Sequence, residues 1–206
     1  MLKNIPAMYN EHQYAEFEAF ISNICGEESI RYVFHEIESE YIHTDVYVAE
    51  SSEDLRTYMT VGMSCKDLNP PDDTFKNIEL MCFTSTDFEI SSDDSALIAN
   101  ELVAISKYPF RENTWLGNMH TINTSPKFKH RFGYDYFMFI YGGMTTNISD
   151  TGEVSYLNLI PLYAKEYEWI IKNGPESFLT KLIEKYEVEA FTINKSRDII
   201  VSSDTI

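Results

Sequence analysis

RYVFHEIESEYIHTDVYV, residues Arg31–Val48, is the stretch on which the reading of the fold turns. Apolar and polar residues alternate through it twice, on either side of a polar break at Glu38-Ser39-Glu40, as in two strands joined by a turn. An antiparallel hairpin with Ile37 opposite Ile42 and Val33 opposite Val46 gives one mostly apolar face: Val33, His35, Ile37, Ile42, Thr44, Val46 and Val48. The other face carries Phe34, Glu36, His43, Asp45 and Tyr47, with Glu36 opposite His43 and Phe34 opposite Asp45. An imidazole and two carboxylates thus share a face, as a site or as ordinary polar sheet surface.

Before the hairpin, Tyr14, Phe17, Ile21 and Ile24 recur at helical spacing, Asn10 is placed to cap the start and Gly26 to close the end, which predicts a helix over residues 11–25. After it, strands are predicted over Arg56–Met63 and Ile78–Thr84, separated by a loop, DLNPPDDT, at Asp67–Thr74. Ser91-Ser92-Asp93-Asp94 offers a capping side chain and negative charge at a helix start. The stripe Leu97, Ile98, Leu102 and Ile105 follows, and Pro109 should end that helix at Tyr108 or just before.

Further strands are predicted at Met119–Asn123, at Tyr134–Tyr141 with Gly142-Gly143 ending it, and at Val154–Leu162 with Pro161 at its exit. A helix over Lys165–Lys172 ends at Asn173-Gly174, and Pro175 opens another with the stripe Phe178, Leu179, Leu182, Ile183 and Tyr186. The tail after Val188 has room for a short strand. No repeat or long linker divides the chain. The order of elements predicts an α+β fold: a single domain over 1–206, core about 30–186, with a mostly antiparallel (mixed) sheet and helices packed on it.

A chain of 206 residues with 14 Tyr, 13 Phe and 2 Trp has enough apolar mass for one buried core. No apolar run reaches the roughly 18 residues that span a bilayer, and the N-terminus turns polar too soon for a signal peptide, so the expectation is a cytoplasmic protein without membrane contact. Cys25, Cys65 and Cys82 have neither disulfide nor zinc spacing and are expected as reduced thiols in or near the core.

Net charge is −17, and from Glu27 to Glu101 there are 18 acidic residues against only Arg31, Arg56, Lys66 and Lys76. Such a surface repels phosphate, which argues against nucleic acid as a direct ligand, and speeds encounter with basic proteins. The trio Lys127, Lys129 and Arg131 alternates as on one strand face and is too small for a nucleic-acid site.

Chemistry-bearing motifs are sparse. No Gly-x-Ser-x-Gly elbow, HExxH pair or P-loop occurs, and no cofactor signature is present. Glu36, His43 and Asp45 are the one grouping that would serve a hydrolase or a three-ligand metal site, but a cross-strand Glu–His contact on a sheet needs no function. Neither a catalytic set nor a metal site is therefore assigned. The candidates for binding a protein partner are Glu36, Glu38, Glu40, His43, Asp45, Glu53 and Asp54, with Asp72 and Asp73 in the Pro-rich loop.

HEIESEYIHTDVYV (His35–Val48) followed by YMTVGMS (Tyr58–Ser64) resembles the opening strands of the Suppressor of fused domain. LIANELVAISKYPFRENTWLGNMHTI (Leu97–Ile122) is similar to the family's helix and glycine-bearing loop, and LNLIPLYAKEYEWIIKNGPESFLTKL (Leu157–Leu182) to its closing strand, proline and helix pair. The resemblance covers most of residues 30–186 in the family's order. It implies a single domain without catalytic machinery. The animal namesake restrains a transcription factor by binding it and has an additional C-terminal domain. The chain looks more like the short bacterial members, often assigned as immunity proteins of polymorphic toxin systems.

The leading expectation is therefore a non-enzymatic, bacterial, acidic immunity protein that neutralises a basic toxin domain, such as a nuclease, by binding it. The alternatives are a regulatory interaction module for a non-toxin partner, or a hydrolase or metal-dependent enzyme using Glu36, His43 and Asp45.

Overall fold

The computed structural model describes residues 6–37, 40–71, 75–87, 89, 92–186, 191–193 and 197–201. Its first helix, α1 (Glu11–Cys25), shows how local chemistry fixes an element. Asn10 Oδ1 accepts from Gln13 N at 3.0 Å and Gln13 Oε1 accepts from Asn10 N at 3.0 Å, so two otherwise orphaned backbone donors are satisfied reciprocally. The helix closes at Gly26, whose N–H returns to Ser22 O.

The strands are β1 (Ile30–Phe34), β2 (Asp45–Glu50), β3 (Leu55–Val61), β4 (Ile78–Ser85), β5 (Thr121–Asn123), β6 (Tyr136–Ile148), β7 (Gly152–Leu162) and β8 (Thr192–Ile193). Among the described residues they form one sheet in the order β1-β2-β3-β4-β7-β6-β5. All pairs along this path are antiparallel except β4 with β7. β7 runs beside β4 from Ile78 to Met81, and β8 takes up the same edge in parallel at Phe83 and Thr84. The α+β reading with a mixed sheet is what the structure shows.

Helices cover both faces. Val46, Val48, Tyr58, Leu80 and Cys82 face α2 (Asp93–Glu112) and α3 (Pro126–Phe132) through Ile98, Leu102, Ile105, Phe128 and Phe132. On the opposite face Tyr47, Ala49, Met59 and Val61 meet Phe17 and Ile21 of α1. Farther along that face, Met138, Ile140, Ile160 and Leu162 meet α4 (Ala164–Asn173) and α5 (Pro175–Tyr186). The central strands are consequently apolar on both sides.

That double covering corrects the predicted hairpin. Val33 pairs with Tyr47 and Phe34 with Val46, one residue out of the expected register. A single-residue slip exchanges the faces. Phe34 joins Val46 and Val48 on the α2 side, while Val33 joins Tyr47 beneath α1. The expected register assumed one solvated face, and β2 has none: five of its six residues are buried.

Other boundaries differ for local reasons. α2 runs through Pro109 to Glu112 instead of stopping at Tyr108. The proline lies in the last turn, where only Phe110, Arg111 and Glu112 follow, and its carbonyl accepts from the left-handed cap Asn113. Lys127, Lys129 and Arg131 lie on α3 rather than a strand, because Ser125 caps the segment and Phe128 and Phe132 bury at helical spacing. Lys129 pairs with Asp135 and Arg131 with Asp94. Gly142-Gly143 does not end β6: the strand continues past a register shift to Ile148, with Gly143 at φ +81°.

Two buried carboxylates tie distant segments together. Glu79, fully enclosed in β4, accepts from Thr60 Oγ1 at 2.6 Å, Gly62 N at 2.9 Å, Ser64 N at 2.9 Å and Ser64 Oγ at 2.6 Å. Burial raises its pKa above the ordinary carboxylate value and these four donors pull the other way. Glu166 of α4 holds Arg197 through two contacts of 2.8 and 2.7 Å, and Arg197 also donates to Pro161 O at 2.7 Å.

Candidate functional site

Between β1 and β2, His35, Glu36 and His43 form a clasp around Asp45, the first residue of β2. Asp45 Oδ1 accepts from Glu36 N at 3.1 Å and lies 3.1 Å from His43 Nε2, while Oδ2 lies 3.2 Å from His35 Nδ1. Glu36 reciprocates: its Oε2 accepts from Thr44 N at 3.0 Å, and its Oε1 pairs with Lys107 of α2. Desolvation lowers the Lys107 ammonium below its usual value. Gly62, at φ +130°, passes so close that a Cβ there would lie 2.0 Å from His43 O.

Both carboxylates therefore point inward, each side chain only 6% exposed, while His35 stands 72% exposed and His43 20%. Sequence reasoning placed His35 on the apolar face and gave Lys107 no part in the cluster. The register slip accounts for the first. The second comes from the packing of α2 on the sheet, which no local pattern announces.

Beside the clasp, between α1 and β2, a cleft of about 370 Å³ opens, lined by Met8, Glu11, Tyr14, Ala15, Glu18, His35, His43, Asp45 and Tyr47. Glu11, Ala15 and Glu18 stand at i, i+4 and i+7 of α1, so they form one stripe along the helix. Tyr47 Oη donates to Glu18 Oε1 at 3.0 Å and so fixes that carboxylate at the cleft wall. Burial raises the Tyr14 and Tyr47 hydroxyls above their ordinary values; the charge of Asp45 adds to both, and that of Glu18 adds to Tyr47.

The other predicted partner-binding residues do not gather at this cleft. Glu40 is exposed near the clasp. Glu53 and Asp54 are exposed on the β2–β3 turn, whose backbone is held by Thr86 through Asp54 O and Glu53 O. They lie a full six-residue strand from the clasp, about 20 Å. Glu38, Asp72 and Asp73 fall outside the described residues.

As chemistry, the arrangement is a carboxylate between two imidazoles, with no Ser, Thr or Cys among the residues lining the cleft. Among the described residues, no group of three or more His, Cys, Asp or Glu side chains converges on a position for a metal ion. No described helix is long and apolar enough to cross a membrane.

A family model described as Suppressor of fused protein (SUFU) matches residues 40–196. Three solved structures share the fold. A SUFU homologue from Neisseria gonorrhoeae aligns with TM-score 0.62 and 14% identity, over 95% of this chain and 98% of its own. A structure described as the Sufu–Fu complex aligns with TM-score 0.64 and 12% identity, over 95% and 93%. Drosophila Suppressor of Fused aligns with TM-score 0.55 and 14% identity, over 77% of this chain and 42% of its own. No curated protein matches the chain.

Proposed function

We propose, since this chain belongs to the Suppressor of fused family, that it acts by binding another protein and carries out no reaction of its own. The observation that carries this is the family match over residues 40–196, joined by the likeness to a chain solved as part of the Sufu–Fu complex. The inward engagement of Glu36 and Asp45 supports it: each carboxylate already accepts from a backbone N–H and pairs with a basic side chain. Such groups hold a fold together and are poorly placed to move a substrate's proton.

The partner we propose is a basic toxin domain, such as a nuclease, with this chain as its immunity protein in the cytoplasm of a bacterium. Charge supports this reading. A net −17 at pH 7 gives fast, salt-sensitive encounter with a cationic surface, and Glu40, Glu53 and Asp54 stand exposed to receive it. Glu38, Asp72 and Asp73 remain candidates from the sequence. The test is co-expression with a toxin encoded beside it. Growth should be restored and a stable complex recovered, with an association rate that falls steeply as salt rises. A toxin that kills equally in its presence and forms no complex rejects the immunity role. A non-toxin partner bound instead would favour a regulatory module.

A further inference from the structure

We infer that the cleft between α1 and β2 is a receptor for one arginine side chain of the partner protein. The inference rests on the protein-binding reading above and gives it an address. Glu11 and Glu18 put two carboxylates on the cleft beside Asp45, whose own oxygens are already held by Glu36 N, His43 and His35, and no Lys or Arg lines it. Its walls are otherwise the Tyr14 and Tyr47 rings, the Met8 thioether, the Ala15 methyl and the His35 and His43 imidazoles, which both face Asp45.

That combination matches a guanidinium on an apolar stem. A long cationic side chain lays its methylenes on apolar surface and keeps its head beside polar groups. Arginine adds a planar fork for carboxylate oxygens and a face that stacks on aromatic rings, which the compact lysine ammonium lacks. Glu11 and Glu18 stand seven residues apart on one helix stripe, about 10 Å along the axis, so a head group entering between them feels both charges. The small Ala15 lies between them in the helix stripe, and Met8, 58% exposed, also lines the cleft. Tyr47 holds Glu18 in place before any ligand arrives, which lowers the entropy lost on binding. The volume, about 370 Å³, is at the small end of ligand pockets and suits a single side chain rather than a cofactor.

The probe is the capped tripeptide acetyl-Gly-Arg-Gly-amide, titrated into the intact 15N-labelled protein, with the norleucine and lysine tripeptides as controls. The arginine peptide should give saturable shifts at Tyr14, Ala15, Glu18 and Tyr47. The norleucine peptide should give none and the lysine peptide weaker ones. Glu11→Gln and Glu18→Gln, which keep the shape and remove the charge, should each weaken binding about fivefold. Shifts that do not saturate, that map elsewhere, or that survive both substitutions unchanged would overturn the assignment, as would tighter binding of the lysine peptide. The two readings separate in a second measurement on the toxin complex. A toxin that does not bind the wild-type chain rejects the immunity reading. A toxin that binds the Glu11→Gln/Glu18→Gln double variant as tightly as wild type rejects only this cleft.

Discussion

Arg197 and Glu166, 31 residues apart, form an ion pair whose side chains are 2% and 0% exposed, with two N–H···O contacts of 2.8 and 2.7 Å. Glu166 also accepts from Tyr163 N and Ile200 N, both at 3.0 Å, so the pair anchors the segment after β8 to the start of α4. Breaking it from one side strands a buried charge. Arg197→Ala or Glu166→Ala is expected to lower stability by about 3–5 kcal/mol, measured by urea unfolding. Arg197→Met with Glu166→Leu should cost much less than the sum of the two alanine variants.

Glu79 is the acceptor for two backbone and two side-chain donors from residues 60–64. Removing the carboxyl leaves Gly62 N and Ser64 N buried without it. Glu79→Ala should therefore cost about 3 kcal/mol or more, at about 1–3 kcal/mol for each stranded group. Equilibrium unfolding checks this, and a cost under about 1 kcal/mol would mean water replaces the carboxyl.

Gly62→Ala has no room and the wrong backbone. Its Cβ would meet His43 O at 2.0 Å, and φ of +130° is strained for any side chain. A loss above about 2 kcal/mol is expected, and the His35–Asp45–His43 clasp should loosen with it. Amide exchange at Thr44 and Asp45 reads that loosening directly.

His120 packs on Trp115 with ring centroids 4.3 Å apart, and burial lowers its proton affinity below the usual histidine value while the Trp115 backbone contact opposes this in part. With the folded value depressed, the unfolded chain binds more protons around and below pH 6.5, so this group stabilises the fold above about pH 6.5 and the contribution is lost as pH falls through the folded value. Stability should drop between pH 7.5 and 5.5, and His120→Gln should narrow that drop. An identical drop in the variant would place the sensitivity elsewhere.

What could be read ahead of the structure was local. Asn10, Gly26 and the stripe through Phe17 and Ile21 bound α1, and the cap at Ser92 bounds α2, because each signal acts within a turn. The register of β1 on β2 was misread because it depends on α1 and α2 covering both faces, and that information is spread over residues 17–105. The same distance hid Lys107 from Glu36, Arg197 from Glu166, and the stripe Glu11, Ala15, Glu18 from Tyr47. α3 was misread for a local reason: alternating lysines imitate a strand until Ser125 and Pro126 are seen to start a helix. Glu36, His43 and Asp45 meet in a clasp that turns its carboxylates inward.

The parallel seam between β4 and β7 sets an order of events for the chain as it folds. β1 through β4 join neighbours in sequence, as do β6 and β7, so each half closes only short loops. The seam instead brings Ile78 to Ser155, a closure of more than seventy residues across which α2 and α3 must already fit. Long closures are entropically expensive and slow. Two antiparallel halves should therefore assemble first and dock last along β4, so substitutions at Leu80 or Leu157 should change the folding rate less than the unfolding rate.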